Sequence, residues 1–398
     1  MANPQQFALL MLVIAGAGLL AVVSNRLTEW LKIPAPALFL AGAAVAAKFI
    51  PALSLPSEQT VKEVVTVALA LILFEGGTRI GWPRFRSAIA PISVLGVIGT
   101  FLTVTAGTLF IHFAFELAWY DSLLLATAIA PTDPAVVFSV LGRRELSGAS
   151  GTILEGESGT NDPVGIALMT GLVAAGGISA AAFVRVGITF VSEMAVGAGV
   201  GLVGGFALLW FARRVALPNE ALYPLGSLAG VLVIFALATL AGGSGFLAVF
   251  VAGIVLGDRK APSKREIERF HSVLASLSEI VAFVVLGLTV HLAVLAREDV
   301  WLPGLVLGAV LAMIIRPLVV GLSLLPTGLK PNERNFVLFA GLKGAVPILL
   351  GSYLFSAHLP DAQRLYGIVI VVVVLSVLVQ GAMTPIVAGA LNLPIRRS

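Results

Sequence analysis

The stretch from Leu154 to Pro163 carries three acidic side chains in an otherwise apolar part of the chain. Asp162 stands out among them because Ser158 lies four residues earlier, and in a helix the two side chains would share a face. A carboxylate flanked by neutral oxygens suits a hard cation such as Na⁺ and, less tightly, K⁺. The same carboxylate can hold a proton instead. The pattern therefore predicts a site where a monovalent cation and a proton compete for one negative charge.

The residues next to Asp162 carry further expectations. Asn161 lies about 100° round a helix from Asp162, so we expect its side chain to hydrogen-bond a neighbouring span rather than bind an ion. Pro163 has no backbone donor, so it leaves the carbonyl of Gly159 without its usual partner. Both features place polar groups where two elements have to cross.

Two further segments combine proline with a charged residue inside apolar runs: Ala130–Pro134 and Gly341–Pro347. Proline in a helix interior removes one hydrogen bond and clashes with the preceding turn, so each segment predicts a broken helix. Carbonyls of an unwound segment around Thr132 and Asp133 could bind a cation. Asp133 could instead neutralise an exposed helix N-terminus. Both roles stay open from the sequence.

Other charged residues inside apolar runs are candidates by default, since each costs about 2.5–3.5 kcal/mol to insert. Glu75 is either a carboxylate on the ion path or a water-facing residue near the cytoplasmic end of its span. Arg316 needs a buried partner, and Glu157 is expected to supply it. Lys343 is expected to stabilise the C-terminal end of a half-helix. Glu155, Glu193 and Glu279 receive no role.

The composition indicates that these residues lie in membrane-spanning helices. Hydrophobic residues make up 58% of the 398 residues and charged residues only 12%, about half the share of a typical soluble domain. The apolar runs are long enough to cross a bilayer. We predict an all-α polytopic membrane protein with about thirteen spans: 7–23, 35–50, 60–78, 88–115, 121–141, 152–176, 183–211, 221–239, 243–257, 271–293, 301–325, 334–356 and 364–391. The division between 221–239 and 243–257 is the least marked.

The basic residues orient these spans. With the N-terminus outside, 18 of the 25 lysines and arginines lie in cytoplasmic loops and the C-terminal tail, five lie outside and two lie inside spans. Positive charge concentrates on the cytoplasmic side of membrane proteins, so this orientation is favoured. The first run is expected to be a retained span rather than a signal peptide. No soluble regulatory domain is expected, since the last span ends close to Ser398.

The two broken spans are the fifth and the twelfth. Because they are seven apart, they cross the membrane in opposite directions. This relation is typical of an inverted-topology repeat, whose substrate site lies near the midplane at the broken helices. The alternative is a pair of ordinary proline kinks.

Several function classes are disfavoured. The chain has no cysteine, and its four histidines are not spaced as metal ligands. We therefore expect no catalytic metal centre and no cofactor, and we do not expect an enzyme. The excess positive charge follows the loops rather than a nucleic-acid surface. A cation channel and a cation-coupled symporter remain as alternatives, although no filter motif of repeated carbonyls or charges is visible.

At these residues the chain resembles the Na⁺/H⁺ exchanger and NhaP branch of the cation:proton antiporters. The matching elements occur in family order: Phe74–Gly77, Pro131–Pro134, Glu157–Asp162 and Gly341–Pro347. The resemblance implies the NhaA-like fold with crossed broken helices, a homodimer in a prokaryotic inner membrane, and a role in pH homeostasis. It also implies a mobile core domain, about 88–176 and 301–391, and a scaffold domain built from the other spans.

The resemblance also implies roles for individual residues. Asp162 becomes the carboxylate that binds the ion and the proton, and Asn161 its helix-crossing partner. Ser158, Thr132, Asp133 and Glu75 belong in or near the ligand shell, and Glu157 with Arg316 forms a structural ion pair.

Two departures bear on the substrate. Lys343 stands where the family often has arginine, and the small pair Gly159–Thr160 is more similar to K⁺/H⁺ antiporters than to Na⁺ exchangers. Na⁺ and K⁺ therefore both stay open. Asn161 in place of a second aspartate implies electroneutral exchange of one cation for one proton.

Overall fold

The fold is that of a helical membrane protein. The computed structural model describes residues 34–50, 57–134, 137–138, 144–146, 149–257, 259, 261–297, 299–393 and 395–397, together with residues 16 and 19. Within these ranges nearly every element is a helix, as an apolar chain requires when water is absent to satisfy its backbone. The predicted first span, 7–23, lies outside the described residues.

The helices are numbered in chain order. They are α1 (Ala35–Phe49), α2 (Glu58–Ser87), α3 (Ile89–Ser93), α4 (Thr100–Phe115), α5 (Trp119–Ile129), α6 (Ala149–Ala175), α7 (Ala180–Arg214), α8 (Leu222–Leu240), α9 (Gly245–Gly257), α10 (Lys264–Leu288), α11 (Leu292–Arg297), α12 (Trp301–Val310), α13 (Arg316–Leu324), α14 (Pro331–Phe339), α15 (Ala345–Ser356), α16 (Ala362–Leu375) and α17 (Ala382–Ala390). Three π-helical segments, Val94–Gly99, Leu311–Ile315 and Ser376–Gly381, join α3 to α4, α12 to α13 and α16 to α17, and a 3₁₀ turn covers Leu325–Thr327.

Seven helices in the described ranges are long and apolar enough to cross a membrane. They are Glu58–Ser87, Ile89–Phe115, Ala180–Arg214, Leu222–Leu240, Lys264–Leu288, Trp301–Thr327 and Ala362–Ala390. Three shorter apolar helices, α1, α9 and α15, fall on further predicted spans. The least marked division is present, since α8 ends at Leu240 and α9 begins at Gly245.

One predicted loop is helical. The basic segment after residue 78 was expected to leave the membrane as a loop, but α2 continues to Ser87. Gly81 interrupts the helix with φ 64° and ψ 171°, a conformation open to glycine, and Pro83 follows it. α2 is therefore kinked at Gly81 and does not end there.

The two proline segments do interrupt helices. α5 ends at Ile129, and residues 130–133 are not helical before a helical Pro134. Residues 341–344 are also not helical, and they separate α14 from α15. The far half of the predicted span 121–141 lies largely outside the described residues.

Helix packing brings α2, α7 and α9 together through small residues. A Cβ at Gly77 of α2 or at Gly201 of α7 would overlap backbone of α9. The same is true in reverse for Gly253 of α9 against Phe74. α9 therefore lies against backbone on both sides, which fixes it firmly.

The chain end is tied back to the loop after the first break. Arg144–Leu146 (β1) and Ile395–Arg397 (β2) pair as antiparallel strands, with Glu145 opposite Arg396. This short ribbon is a local addition to the helical architecture.

Candidate functional site

Asp162 lies in the middle of α6 and is buried, with 5% of its surface exposed. Ser158 Oγ donates a hydrogen bond of 3.3 Å to Asp162 Oδ2. Asp162 Oδ1 is buried and has no hydrogen-bond partner in the described structure. A buried polar atom without a partner is costly unless something binds it. Asp162 thus presents an open acceptor inside the protein.

Asn161 joins α6 to the first break. Its Nδ2 donates to Thr132 Oγ1 at 2.9 Å, and its Oδ1 accepts a longer bond of 3.5 Å from Thr132 N. Both residues are buried. The hydrogen bond expected between Asn161 and the fifth span is present. A close contact nearby also fixes the crossing: a Cβ at Gly165 would overlap the Pro131 ring.

The two breaks touch each other through backbone and side chain. Asp133 N donates to the carbonyl of Leu342 at 2.8 Å. The Asp133 carboxylate lies against Gly344, where a Cβ would overlap it, and Gly344 directly precedes α15. A carboxylate at a helix N-terminus is electrostatically favourable. The geometry therefore suits Asp133 as the group that neutralises this helix start.

Lys343 reaches from the second break to the first. Its Nζ donates to the carbonyl of Ala130 at 2.8 Å and to that of Pro131 at 3.2 Å. These carbonyls follow the end of α5, and that of Ala130 has no helical donor because Pro134 stands four residues on. A cation at a helix C-terminus satisfies such carbonyls and opposes the helix dipole. Each break thus offers a charged side chain to the half-helix end of the other.

Arg316 and Glu157 are in direct contact. Arg316 Nη1 and Nη2 donate to the two Glu157 oxygens at 2.8 and 3.1 Å, and both residues are buried. Arg316 also donates to the carbonyls of Val337 and Leu338 at 2.9 and 3.1 Å. A planar guanidinium can make such a bidentate pair and still serve other acceptors. Glu157 therefore has both oxygens satisfied on α6.

Glu75 is bound to a neighbouring arginine. Its Oε1 lies 2.8 Å from Arg79 Nη2, and Arg79 Nη1 lies 3.5 Å from Glu155 Oε1. The Arg79 side chain is 46% exposed and Glu75 13%. The structure thus places Glu75 in a partly exposed ion-pair cluster. The Arg79 contact engages Oε1 of Glu75.

Sequence reasoning missed several contacts of the site. Ser376, in the third π-helical segment, accepts a hydrogen bond of 2.9 Å from Lys343 N. The Phe250 ring of α9 packs onto α6 at Gly159. Glu279 of α10 has a buried Oε1 without a hydrogen-bond partner in the described structure. The glycine at 159 was a signal for the second contact, but the sequence does not say which side chain fills the space.

Comparison with known proteins agrees with this architecture. Residues 15–389 match the family model of the transmembrane sodium/hydrogen exchangers. The chain therefore belongs to the sodium/hydrogen exchanger family, and the resemblance to its NhaP branch is confirmed. It is an integral membrane protein of a transporter family rather than of an enzyme family.

Two relatives named as K⁺/H⁺ antiporters are similar to most of this chain. The chain is 36% identical over 377 residues to the K⁺/H⁺ antiporter NhaP2 of Shewanella sp. strain MR-4, which covers 93% of this chain and 64% of that protein. It is 33% identical over 390 residues to the K⁺/H⁺ antiporter NhaP of Alkalimonas amylolytica, covering 97% and 67% respectively. The chain thus spans just under two thirds of the length of the first of these relatives.

A solved structure shares the fold. The sodium proton antiporter MjNhaP1 from Methanocaldococcus jannaschii superposes with a TM-score of 0.80, covering 97% of this chain and 99% of that one. Its sequence identity is 22%, so the likeness establishes the fold alone. The prediction of an all-α antiporter fold is confirmed, while the thirteen spans and the crossed broken helices stay predictions.

Proposed function

We propose that this chain is a secondary antiporter that exchanges a monovalent cation, Na⁺ or K⁺, for H⁺. The observation that carries the proposal is the buried Oδ1 of Asp162, which has no hydrogen-bond partner within the part of the chain that the structure describes and lies beside two broken helices. Asp162 binds the cation in one half of the cycle and the proton in the other. The family and the names of its relatives, K⁺/H⁺ and sodium proton antiporters, support the reaction class.

The exchange is proposed to be electroneutral. One carboxylate that swaps one cation for one proton carries the same net charge in both loaded states. Asn161 adds no second titrating group, because it is an amide and both its polar atoms are used by Thr132. An exchange rate that follows the membrane voltage, as an electrogenic carrier's does, would contradict this stoichiometry.

The proposed ligand shell collects oxygens around Asp162. Ser158 Oγ is already in contact with the carboxylate. Thr132, Asp133 and Glu75 are proposed to lie in or near the shell. Asn161 fixes the position of α6 against the first break. Glu157 with Arg316, and Lys343 alone, hold the half-helices in place.

The larger arrangement is proposed as follows. The chain crosses the inner membrane about thirteen times, with the N-terminus outside and the C-terminus cytoplasmic. The broken spans form a crossed pair in an inverted repeat. A core domain, about 88–176 and 301–391, moves against a scaffold of the remaining spans, and two copies form a homodimer. The hydrogen bond between Asp133 and Leu342 supports the crossed pair.

A reconstitution experiment tests the exchange. Purified protein in liposomes with an internal pH dye is given Na⁺, K⁺ or Li⁺ in turn. We expect proton movement with at least one cation, and none beyond empty liposomes for Asp162→Asn. Lowering the pH should raise the apparent KM for the cation and leave the maximal rate unchanged, because the two ions compete. Normal exchange by Asp162→Asn would overturn the assignment.

A further inference from the structure

α6 has no side chain at Gly159, close to the proposed ion site. A Cβ at Gly159 would overlap the Phe250 ring, so the ring lies directly on the helix backbone. Gly159 follows Ser158 and lies three residues before Asp162, and residues three apart are neighbours on a helix surface. Phe250 is 2% exposed. A buried aromatic ring thus lies against α6 at Gly159, the position between Ser158 and Asp162 in the sequence.

The ring belongs to a firmly held helix. The Phe250 carbonyl lies where a Cβ at Gly77 of α2 would be. One turn along α9, Gly253 meets the backbone of Phe74, and Ala248 meets Gly201 of α7. Backbone contacts of this kind leave little room for α9 to shift. α9 is therefore held against α2 and α7, which belong with it to the proposed scaffold, and its Phe250 ring borders α6 in the conformation described here.

An apolar ring offers no oxygen ligand and excludes water. A cation beside Asp162 keeps ligands on the side of Ser158 and loses water on the side of the ring. Removing water from an ion is costly, and the cost rises with charge density. K⁺ is larger than Na⁺ and gives up its water more easily. A dry wall on one side of a single carboxylate therefore favours K⁺.

We propose that Phe250 is a specificity-determining residue, an apolar wall of the ion site that favours K⁺ over Na⁺. This inference rests on the proposed cation/proton exchange and adds the residue that discriminates between cations. Phe250→Ala opens the wall to water, so Na⁺ gains relative to K⁺. The ratio of the apparent Kd for Na⁺ to that for K⁺ is expected to fall by about threefold or more.

The test measures binding and transport separately. Thermal stabilisation of the purified full chain by K⁺ and by Na⁺ gives the two apparent Kd values, and proteoliposomes give the two KM values. Phe246→Ala is the matched control, because Phe246 lies one turn earlier on α9 and its ring pairs with Phe235 at 5.1 Å between centroids. It should lower Tm without a change in the cation ratio.

A double variant replaces the apolar side chain lost from α9 with one on α6. Phe250→Ala combined with Gly159→Leu is expected to move the ratio back towards that of the unmodified protein. Phe250→Ala with an unchanged ratio and working exchange would overturn this inference alone, and so would an equal change in Phe246→Ala. If no cation stabilised the unmodified protein or moved protons, the proposed exchange would fall and this inference with it.

Discussion

Two buried carboxylates lie five residues apart on α6, and their surroundings differ. Glu157 has both oxygens on the Arg316 guanidinium, while Asp162 has one oxygen on Ser158 and the other without a partner among the described residues. Both are almost fully buried. Within the described residues α6 therefore carries one acid with both oxygens paired and one acid with an oxygen left open, and we proposed the second as the ion-binding group. Pairing rather than burial makes the difference.

The largest expected effect comes from removing the open acid. Asp162→Asn should reduce exchange to the background of empty liposomes, since it removes the carboxylate that is proposed to bind both ions. Its Tm should stay the same or rise, because a buried carboxylate without a full set of partners destabilises the fold. Thermal melting and liposome assays on the same preparation measure both. A large fall in Tm would show that Asp162 is structural after all.

The paired acid should behave in the opposite way. Arg316→Gln leaves Glu157 charged and unpaired, which costs about 3–5 kcal/mol of stability. The fall is measured by chemical or thermal unfolding in detergent. Glu157→Gln with Arg316→Gln removes both charges, and it should recover part of the loss. If the double variant were no more stable than Arg316→Gln, the bidentate pair would not be the cause.

Lys343 extends the comparison of paired and unpaired buried groups to the two helix breaks. Lys343→Met removes the donors of the Ala130 and Pro131 carbonyls, and leaving such groups unsatisfied costs about 1–3 kcal/mol each. Exchange should fall together with stability, because the break that carries Thr132 loses its support. Lys343→Arg keeps the charge and serves as the control. Unchanged stability of Lys343→Met would show that water replaces the lysine there.

Asn161 is expected to have a smaller effect. Asn161→Ala removes its hydrogen bonds to Thr132, with a loss of about 1–2 kcal/mol. A double-mutant cycle with Thr132→Ala isolates the pair, because the two losses should not add. Strict additivity would mean that the two residues act independently.

The smallest effect is expected at Glu75. Its partner Arg79 is about half exposed, and exposed ion pairs contribute at most about 1 kcal/mol. Glu75→Gln should therefore change Tm little. A clear rise in the KM for the cation at unchanged stability would place Glu75 in the ligand shell. No change in KM would leave it as a surface residue.

Part of this picture was predictable from the sequence. Acidic residues in apolar runs are rare enough to mark Asp162 and Glu157, and proline segments with charges mark the two breaks. The partners of Arg316 and Lys343 followed from the rule that buried charges need partners. The long-range packing did not follow, since no local pattern tells that Phe250 fills the space at Gly159 or that Ser376 binds the Lys343 amide.

The course of α2 shows a second limit. The arginines after residue 78 suggested a loop, yet the chain stays helical to Ser87 because Gly81 permits a kink in place of a helix end. Loop predictions from charge locate the membrane surface, but they do not say whether the backbone stops being helical there. Tertiary contacts decide that question.

The bond from Lys343 to the first break has a consequence for how the protein is made. Lys343 and the Ala130 carbonyl it serves are 213 residues apart. At a synthesis rate of about 5–20 residues per second, Lys343 is synthesised roughly 10–40 s after Ala130. During that time the carbonyls of the first break need other hydrogen-bond donors, from water or from the insertion machinery. The first break therefore gains its lysine only after most of the chain has been synthesised.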